Sequence, residues 1–198
     1  MNIAFLFSGR GSLLESVING MKESNTDSKL SLIITNNPTI NKNDFLEYNF
    51  HIVDHKKHEN RESFEKTITN LLEENNINLI VLGGFRRIFS PSFVKKYGEM
   101  TINTHPSILP AFPGDKAQLK AINYGVKLTG ATIHFINEHV DNGPIIDQGF
   151  VKITTKTTEE ELKEEIIKVE KDLIRKAVSD FINKKLIIKE NKVINIED

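Results

Sequence analysis

Residues 2–24 read NIAFLFSGRGSLLESVINGMKES, in which an apolar run, a loop with two glycines and a helical pattern follow one another. Ile3–Phe7 is apolar throughout, which is typical of a strand buried on both faces of a sheet. A helix is predicted over Ser12–Ser24, directly after the glycines, with Ser12 as its candidate N-cap. This order of strand, loop and helix is the repeating unit of a parallel α/β sheet.

The same alternation continues along the chain. Further strands are predicted near Leu30–Thr35, His51–Val53, Leu79–Leu82, Thr101–Asn103, Ala131–Ile136 and Ile145–Ile153. Further helices are predicted near Asp44–Tyr48, Arg61–Asn75, Pro91–Tyr97, Lys116–Tyr124 and Thr158–Asn183. The closer spacing of the last two strands indicates a less purely parallel second half, and residues 185–195 fit a hairpin that turns at Glu190 and Asn191. We therefore predict one α/β domain over residues 1–198, with a mostly parallel twisted sheet flanked by helices on both faces.

The composition restricts the class of protein. The chain has 198 residues, no cysteine and a formal net charge of -1. Without cysteine, disulfides, thiolate zinc sites and a cysteine nucleophile are excluded. The small net charge gives no global attraction to nucleic acid or anionic lipid, and no apolar run is long enough to span a bilayer. We expect a soluble cytoplasmic protein with no nucleic-acid or membrane partner.

The loop after the first strand is a candidate anion site. In open parallel sheets, ligands bind beyond the carboxyl ends of the strands. Glycines allow backbone N–H groups to approach a ligand, and a helix N-terminus favours negative charge, so Gly11, Ser12 and Leu13 could bind a phosphate. A tight strand-to-helix turn capped by Ser12 would explain the same residues. A dinucleotide fingerprint does not fit, because Leu14 occupies the third glycine position, and no GKS or GKT follows to make a P-loop.

A second candidate site begins at residues 103–114, which read NTHPSILPAFPG. Asn103 and His105 lie two residues apart, so their side chains share one side of the chain. An asparagine amide can donate to a developing oxyanion, and a histidine can donate or accept a proton. A histidine that only caps a proline-stiffened loop would give the same pattern.

A carboxylate further along the chain favours the catalytic interpretation. Asp141 lies on the turn DNGP that follows the predicted strand TGATIHF. From there it could face His105, favour the charged imidazolium and fix the orientation of the ring. His134 has apolar neighbours in its strand and is interpreted as structural.

Taken together, four segments resemble the phosphoribosylglycinamide formyltransferase family, folate-dependent enzymes of purine synthesis. These segments are NIAFLFSGRGS, VLGGFRRIFSPSFV, INTHPSILPAFPG and TGATIHFINEHVDNGPII. The resemblance implies a Rossmann-like formyltransferase fold. It also implies transfer of the formyl group of 10-formyltetrahydrofolate, the donor cosubstrate, to the amine of 5-phosphoribosylglycinamide, giving N-formylglycinamide ribonucleotide and tetrahydrofolate in IMP synthesis. It implies two small-molecule partners, no metal, and a monomer or homodimer.

The resemblance also implies a role for individual residues. The catalytic residues would be Asn103, His105 and Asp141. The substrate-binding residues would be Gly11, Ser12 and Leu13 for the phosphate and Glu170 for the ribose hydroxyls. The folate-binding residues would be Arg61, Arg86, Arg87, Ile88 and Phe89, the shared Asn103, and the backbone of Glu138, His139, Val140 and Asp141. Three positions depart from the family pattern: Leu13 replaces a frequent Asn, Arg86 a common Met and Phe89 a common Leu.

Rival functions are considered alongside this one. A methionyl-tRNA formyltransferase has an added C-terminal RNA-binding domain, and a formyltetrahydrofolate deformylase normally has an N-terminal regulatory domain. The length of the chain and its first strand at residue 2 argue against both. A non-catalytic nucleotide-binding module could use the first loop, but it would leave Asn103, His105 and Asp141 unexplained as a set.

Overall fold

Seven strands form one sheet in the computed structural model, which describes residues 1–197. The strands are β1 (Asn2–Phe7), β2 (Lys29–Thr35), β3 (Phe50–Ile52), β4 (Leu79–Leu82), β5 (Thr101–His105), β6 (Leu128–Phe135) and β7 (Ile145–Lys152). Their order is β3-β2-β1-β4-β5-β6-β7. The first five are parallel, whereas β6 is antiparallel to β5 and β7 is antiparallel to β6. The mostly parallel sheet and the less parallel second half are both confirmed.

Helices cover both faces of this sheet. They are α1 (Leu14–Glu23), α2 (Arg61–Glu74), α3 (Pro91–Tyr97), α4 (Ala117–Tyr124) and α5 (Glu159–Ile182). Because successive strand residues point to opposite faces, Phe5 packs in one core with Val17 of α1 and Val178 of α5, and Leu6 packs in the other with Ile68 of α2. The prediction of helices on both faces is confirmed.

Local sequence signals determine where several of these helices and strands begin or end. Thr158 caps α5 in a capping box with Glu161, as its predicted boundary implies. The predicted hairpin is present as β8 (Leu186–Lys189) and β9 (Lys192–Asn195), and the two residues between these strands have positive φ angles of 50° and 59°. The predicted helix Asp44–Tyr48 is wrong: a short 3₁₀ turn, Lys42–Phe45, takes its place. Asn41 caps this turn and only Phe45 is buried, so the segment has no apolar face to support a longer helix.

The topology determines where the candidate residues meet. Since β1, β4 and β5 are parallel, their carboxyl ends lie at one edge of the sheet. Gly11 follows β1 and Asn103 lies two residues before the end of β5, so both lie towards that edge, as predicted. No helix within residues 1–197 combines the length and the apolar character needed to cross a bilayer. Asp198, the last residue of the predicted domain, lies outside the described residues.

Candidate active site

The last residue of β5, His105, is buried beside a carboxylate. Its Nδ1 lies 3.2 Å from Oδ2 of Asp141. Its Nε2 lies 2.9 Å from the carbonyl oxygen of Phe112, which can only accept a hydrogen bond. Nε2 therefore carries a hydrogen and donates it, which fixes the ring and directs Nδ1 towards Asp141. The predicted pairing of His105 with Asp141 is present in the structure.

The turn that carries Asp141 is held in an unusual backbone conformation. Asp141 has a φ of 53°, and its Oδ2 also accepts a 2.7 Å hydrogen bond from the N–H of Gly114. A Cβ at Gly143 would lie only 1.7 Å from the carbonyl oxygen of Phe135, so only glycine fits there. The carboxylate is thus placed by the turn on one side and by the proline-rich loop on the other.

The proline-rich loop after β5 is itself tied to the antiparallel strands. Thr132 Oγ1 donates to the carbonyl oxygen of Ser107 at 2.7 Å and accepts from the N–H of Leu109 at 3.0 Å. Gln148 Nε2 donates to the carbonyl oxygen of Leu109 at 2.9 Å. Thr132 and Gln148 therefore hold the loop that contacts both His105 and Asp141, and neither was identified from the sequence.

Asn103 is oriented by a second histidine. Its Nδ2 lies 3.1 Å from Nε2 of His134, while Nδ1 of His134 lies 2.8 Å from the carbonyl oxygen of Phe135. Nδ1 must donate to that carbonyl, so Nε2 is free to accept from the Asn103 amide. Burial lowers the pKa of His134, which keeps the ring neutral and able to accept. His134, which is interpreted as structural from the sequence, also has its Nε2 4.0 Å from Oδ1 of Asp141.

The glycine loop after β1 presents free backbone donors. Gly11 has a φ of 74°, and the N–H of Leu14 bonds to its carbonyl oxygen at 3.0 Å. Within residues 1–197, no protein acceptor contacts the N–H groups of Gly11, Ser12 or Leu13. The N-cap of α1 is Leu13 rather than Ser12, and no side chain among residues 1–197 caps this helix. Because the Leu13 side chain is buried in the core, this residue can offer a ligand only its N–H group.

The segment after β4 contains four of the predicted folate-binding residues. Arg86, Arg87 and Ile88 are exposed, whereas Phe89 is buried and stacks on Phe93 with ring centroids 3.9 Å apart. The N–H of Arg86 donates to Oγ of Ser8 at 2.8 Å. Ser8 therefore links this segment to the glycine loop.

The remaining predicted residues are more widely distributed. Arg61 is exposed at the start of α2, and Glu138, His139 and Val140 form the exposed turn before Asp141.

Glu170 of α5 is buried on the opposite face of β5 from Asn103 and His105. It accepts a 2.6 Å hydrogen bond from Oγ1 of Thr104. Burial raises the pKa of Glu170, and the hydrogen bond from Thr104 opposes part of that effect.

The arrangement combines an amide donor, an imidazole and a carboxylate at the carboxyl edge of the sheet. Such a set can stabilise an oxyanion and move protons, because Asn103 has a second amide hydrogen to donate and Asp141 can exchange protons with solvent or substrate. Within residues 1–197, no group of three or more His, Asp or Glu side chains is arranged to hold a metal ion.

The sequence matches known proteins over most of its length. A family described as Formyl transferase matches residues 1–178. Phosphoribosylglycinamide formyltransferase of Bacillus subtilis (strain 168) is 36% identical over 171 residues, which are 84% of this chain and 87% of that protein. The trifunctional purine biosynthetic protein adenosine-3 of Gallus gallus is 36% identical over 173 residues, which are 86% of this chain but 17% of that protein. The chain thus spans about a sixth of the length of these trifunctional relatives.

A solved structure shows the same fold. Glycinamide ribonucleotide transformylase 1 from Symbiobacterium toebii superimposes with a TM-score of 0.92 at 28% identity, covering 98% of this chain and 93% of that one. The predicted Rossmann-like formyltransferase fold is therefore confirmed.

Proposed function

The chain belongs to the formyl transferase family, and on this premise we propose that it transfers the formyl group of 10-formyltetrahydrofolate to the amine of 5-phosphoribosylglycinamide. The products are N-formylglycinamide ribonucleotide and tetrahydrofolate, and the reaction belongs to purine synthesis. The observation that carries the proposal is the meeting of Asn103, His105 and Asp141 at one edge of the sheet. The proposal includes a single domain over residues 1–198, a cytoplasmic location, and a monomer or homodimer as the working form.

The first chemical step is attack of the amine nitrogen on the formyl carbon, which forms a tetrahedral carbon bearing an oxyanion. An oxyanion needs donors that are already oriented, because stabilisation counts most where charge develops. The second amide hydrogen of Asn103 supplies such a donor, and a cationic His105, whose Nδ1 hydrogen faces Asp141, adds positive charge beside it. His134 and the carbonyl of Phe112 hold these two side chains in place.

The second step breaks the bond between the formyl carbon and N10 of the folate. The attacking amine must lose one proton and N10 must gain one. Asp141 lies beside His105 and accepts from Gly114, so it can stabilise a cationic imidazole and pass the proton through water between the two nitrogens. No covalent enzyme intermediate is required.

Substrate binding is assigned to the flanking elements. The free N–H groups of Gly11, Ser12 and Leu13 suit the ribose phosphate, because they lie at the N-terminus of α1. Glu170 is assigned to the ribose hydroxyls. The folate is assigned to Arg61, to the segment Arg86–Phe89, and to the turn from Glu138 to Asp141.

The direct test follows tetrahydrofolate release by purified protein with and without 5-phosphoribosylglycinamide. We expect release only with the amine acceptor, together with formylated product. Release without the acceptor would indicate a deformylase, and no release in either case would favour a non-catalytic nucleotide-binding module. Asn103→Ala is the matched variant, and we expect it to slow transfer about 10²- to 10³-fold, as for loss of one oxyanion donor.

A further inference from the structure

A buried carboxylate joins two elements that the proposed function assigns to the folate. We propose that Glu65 is a positioning residue that fixes both Arg61 and the segment Arg86–Phe89 for folate binding. The inference rests on the proposed function and adds to it a residue that makes no assigned contact with either substrate.

Glu65 fixes the end of the segment after β4. Its Oε1 accepts a 2.7 Å hydrogen bond from the N–H of Ser90, and its Oε2 accepts a short hydrogen bond from Oγ of Ser90. Ser90 directly follows Phe89 and is the N-cap of α3, where its Oγ accepts from the N–H of Phe93. One carboxylate therefore holds both donors of Ser90, the residue that directly follows the segment.

The start of the same segment is fixed independently. The N–H of Arg86 donates to Oγ of Ser8 at 2.8 Å, and the N–H of Ser8 donates to the carbonyl oxygen of Gly84 at 3.3 Å. With Glu65 at the other end, the backbone is anchored at both ends. The three exposed side chains between these anchors, Arg86, Arg87 and Ile88, are thus presented from a fixed backbone.

Glu65 also contacts Arg61, one helical turn earlier on α2. The distance from Arg61 Nε to Glu65 Oε1 is 3.9 Å, which is an ion-pair contact rather than a direct hydrogen bond. The Arg61 side chain is 54% exposed, while that of Glu65 is 8% exposed. With Nε facing Glu65, the two terminal nitrogens of the guanidinium remain for a ligand. A guanidinium binds carboxylates in a fork, and the carboxylates of the folate are those of its glutamate tail.

Glu65 carries a buried negative charge, which neighbouring groups must compensate. Burying a carboxylate disfavours folding unless hydrogen bonds and an opposite charge compensate. Ser90 alone would still cap α3, since its Oγ already accepts from Phe93. A glutamine has one acceptor oxygen, so it could accept from only one of the two Ser90 donors, and it could not attract Arg61. The negative charge is therefore explained by the two Ser90 donors together with the contact with Arg61.

The test compares Glu65→Gln with wild type in steady-state transfer. We expect the KM for 10-formyltetrahydrofolate to rise on the order of ten-fold, as for loss of one charge-assisted contact, with kcat and the KM for 5-phosphoribosylglycinamide nearly unchanged. With a donor that lacks the glutamate tail, 10-formyltetrahydropteroate, the rise in KM should be smaller, because only the part that comes from the segment Arg86–Phe89 remains. Glu62→Gln is the control, because Glu62 is an exposed carboxylate on α2 with no ion pair within residues 1–197.

Equal effects on the tailed and tailless donors would overturn the proposal, and so would a fall in kcat with both KM values unchanged. A double-mutant cycle on folate dissociation constants gives a second measurement. Arg61→Ala and Glu65→Gln should be non-additive, and additive effects would contradict positioning of Arg61 by Glu65. If Glu65→Gln does not fold, Ser90→Ala replaces it, and a folate dissociation constant equal to that of wild type would overturn the proposal. A wild-type protein that binds folate but transfers nothing would contradict the proposed reaction while leaving the dissociation-constant test of Glu65 intact.

Discussion

The two ring nitrogens of His105 have different partners, and this asymmetry assigns their roles. Nε2 is occupied by the carbonyl of Phe112, so only Nδ1 can serve the reaction. Asp141 lies against Nδ1, so it stabilises the ring when Nδ1 carries a hydrogen. The pair should therefore act as one unit rather than as two independent groups.

This coupling predicts a non-additive pair of variants. Asp141→Asn keeps the shape of the side chain and removes its charge, so transfer should slow by about 10²- to 10⁴-fold, as for loss of general acid–base catalysis. His105→Ala should be comparably slow, and the double variant little slower than either, because residues that act as a unit are not additive. Single-turnover transfer measures all three rates.

Folate binding provides the internal control for this experiment, and all three variants should keep it. Asp147→Asn is a matched variant, since that carboxylate lies in β7 and pairs with Lys176. It should transfer at nearly the wild-type rate. Transfer by Asp141→Asn at close to the wild-type rate would show that the proton path lies elsewhere and that Asp141 is a turn residue.

At the residue scale, the sequence predicts the side chains with a chemical role better than it predicts the residues that hold those side chains in position. Asn103, His105 and Asp141 stand out because an amide, an imidazole and a carboxylate lie at the end of a predicted strand or in the loop after one. His134 could not be assigned, because its contact with Asn103 depends on the register that pairs them across β5 and β6. A backbone partner such as Phe112 has no signature in the sequence, since its contribution is a carbonyl group.

At the scale of elements, the glycine loop differs from an ordinary helix start. The N–H groups of Gly11, Ser12 and Leu13 precede α1 and have no protein acceptor within residues 1–197, and no side chain in that range caps the helix. A capping side chain would lie over this end of the helix and bond the N–H of Glu15 or Ser16. The absence of a capping side chain at Ser12 and Leu13 therefore agrees with an anion site rather than a plain turn.

This arrangement predicts a selective effect of substitution at Gly11. Gly11→Val places a β-branched residue at a φ of 74°, where a Cβ would meet the ring of Phe7 at an ordinary 3.5 Å. Backbone strain rather than a clash should shift the loop. We expect the KM for 5-phosphoribosylglycinamide to rise about ten-fold or more, as for loss of a charge-assisted hydrogen bond, and the KM for the folate to rise less.

Gly125→Val controls for the strain in this experiment. Gly125 has a φ of 81° at the end of α4, and a Cβ there would meet no atom of residues 1–197 within 4 Å. It should lower thermal stability without a selective change in either KM. Equal increases in both KM values for Gly11→Val would mean that the loop only maintains the fold.

Elements with a strong apolar pattern are predictable, and those defined by polar contacts are less so. The strand β4 and the helix α3 have the bounds expected from the sequence. The sequence predicts a helix near Asp44, but the Asn41 side chain accepts from the N–H of Asn43 and caps a short 3₁₀ turn instead. The strand β5 extends two residues further than predicted, which places His105 in the sheet rather than in the loop.

At the scale of the whole molecule, the order of strands could not be derived from local patterns. An alternating pattern predicts parallel strands, but it does not determine that β1 lies between β2 and β4. This order brings Ser8 to Arg86 and so connects the two proposed substrate regions. It also leaves Glu170 on the opposite face of β5 from His105, buried against Thr104.

The burial of Glu170 couples the stability of the whole fold to pH. The ordinary pKa of a glutamate side chain, 4.5, is raised in the folded state, mainly by burial. Below the ordinary value the group is protonated in both the folded and the unfolded chain, so it costs nothing. Between the ordinary and the raised pKa, the unfolded chain is mostly ionised whereas the folded chain stays mostly protonated. As the pH rises through this window, the free energy of unfolding therefore falls by about 1.4 kcal/mol for each unit of the shift.

Glu170→Gln should therefore gain stability relative to wild type as the pH rises, because glutamine does not ionise. The difference in free energy of unfolding between the two, measured by urea denaturation without ligand, should be smallest near pH 4.5 and should grow to a plateau above the raised pKa.

Thr104→Val should instead lose stability relative to wild type as the pH rises, because the Thr104 hydroxyl lowers the pKa of Glu170 and the variant lacks it. Its loss of stability relative to wild type should be larger at pH 8 than at pH 4.5, since the ionised carboxylate then has no donor. A difference between Glu170→Gln and wild type that is constant across this range would show that Glu170 titrates alike in the folded and unfolded chains, and that its carboxylate is solvated despite its position beneath β5.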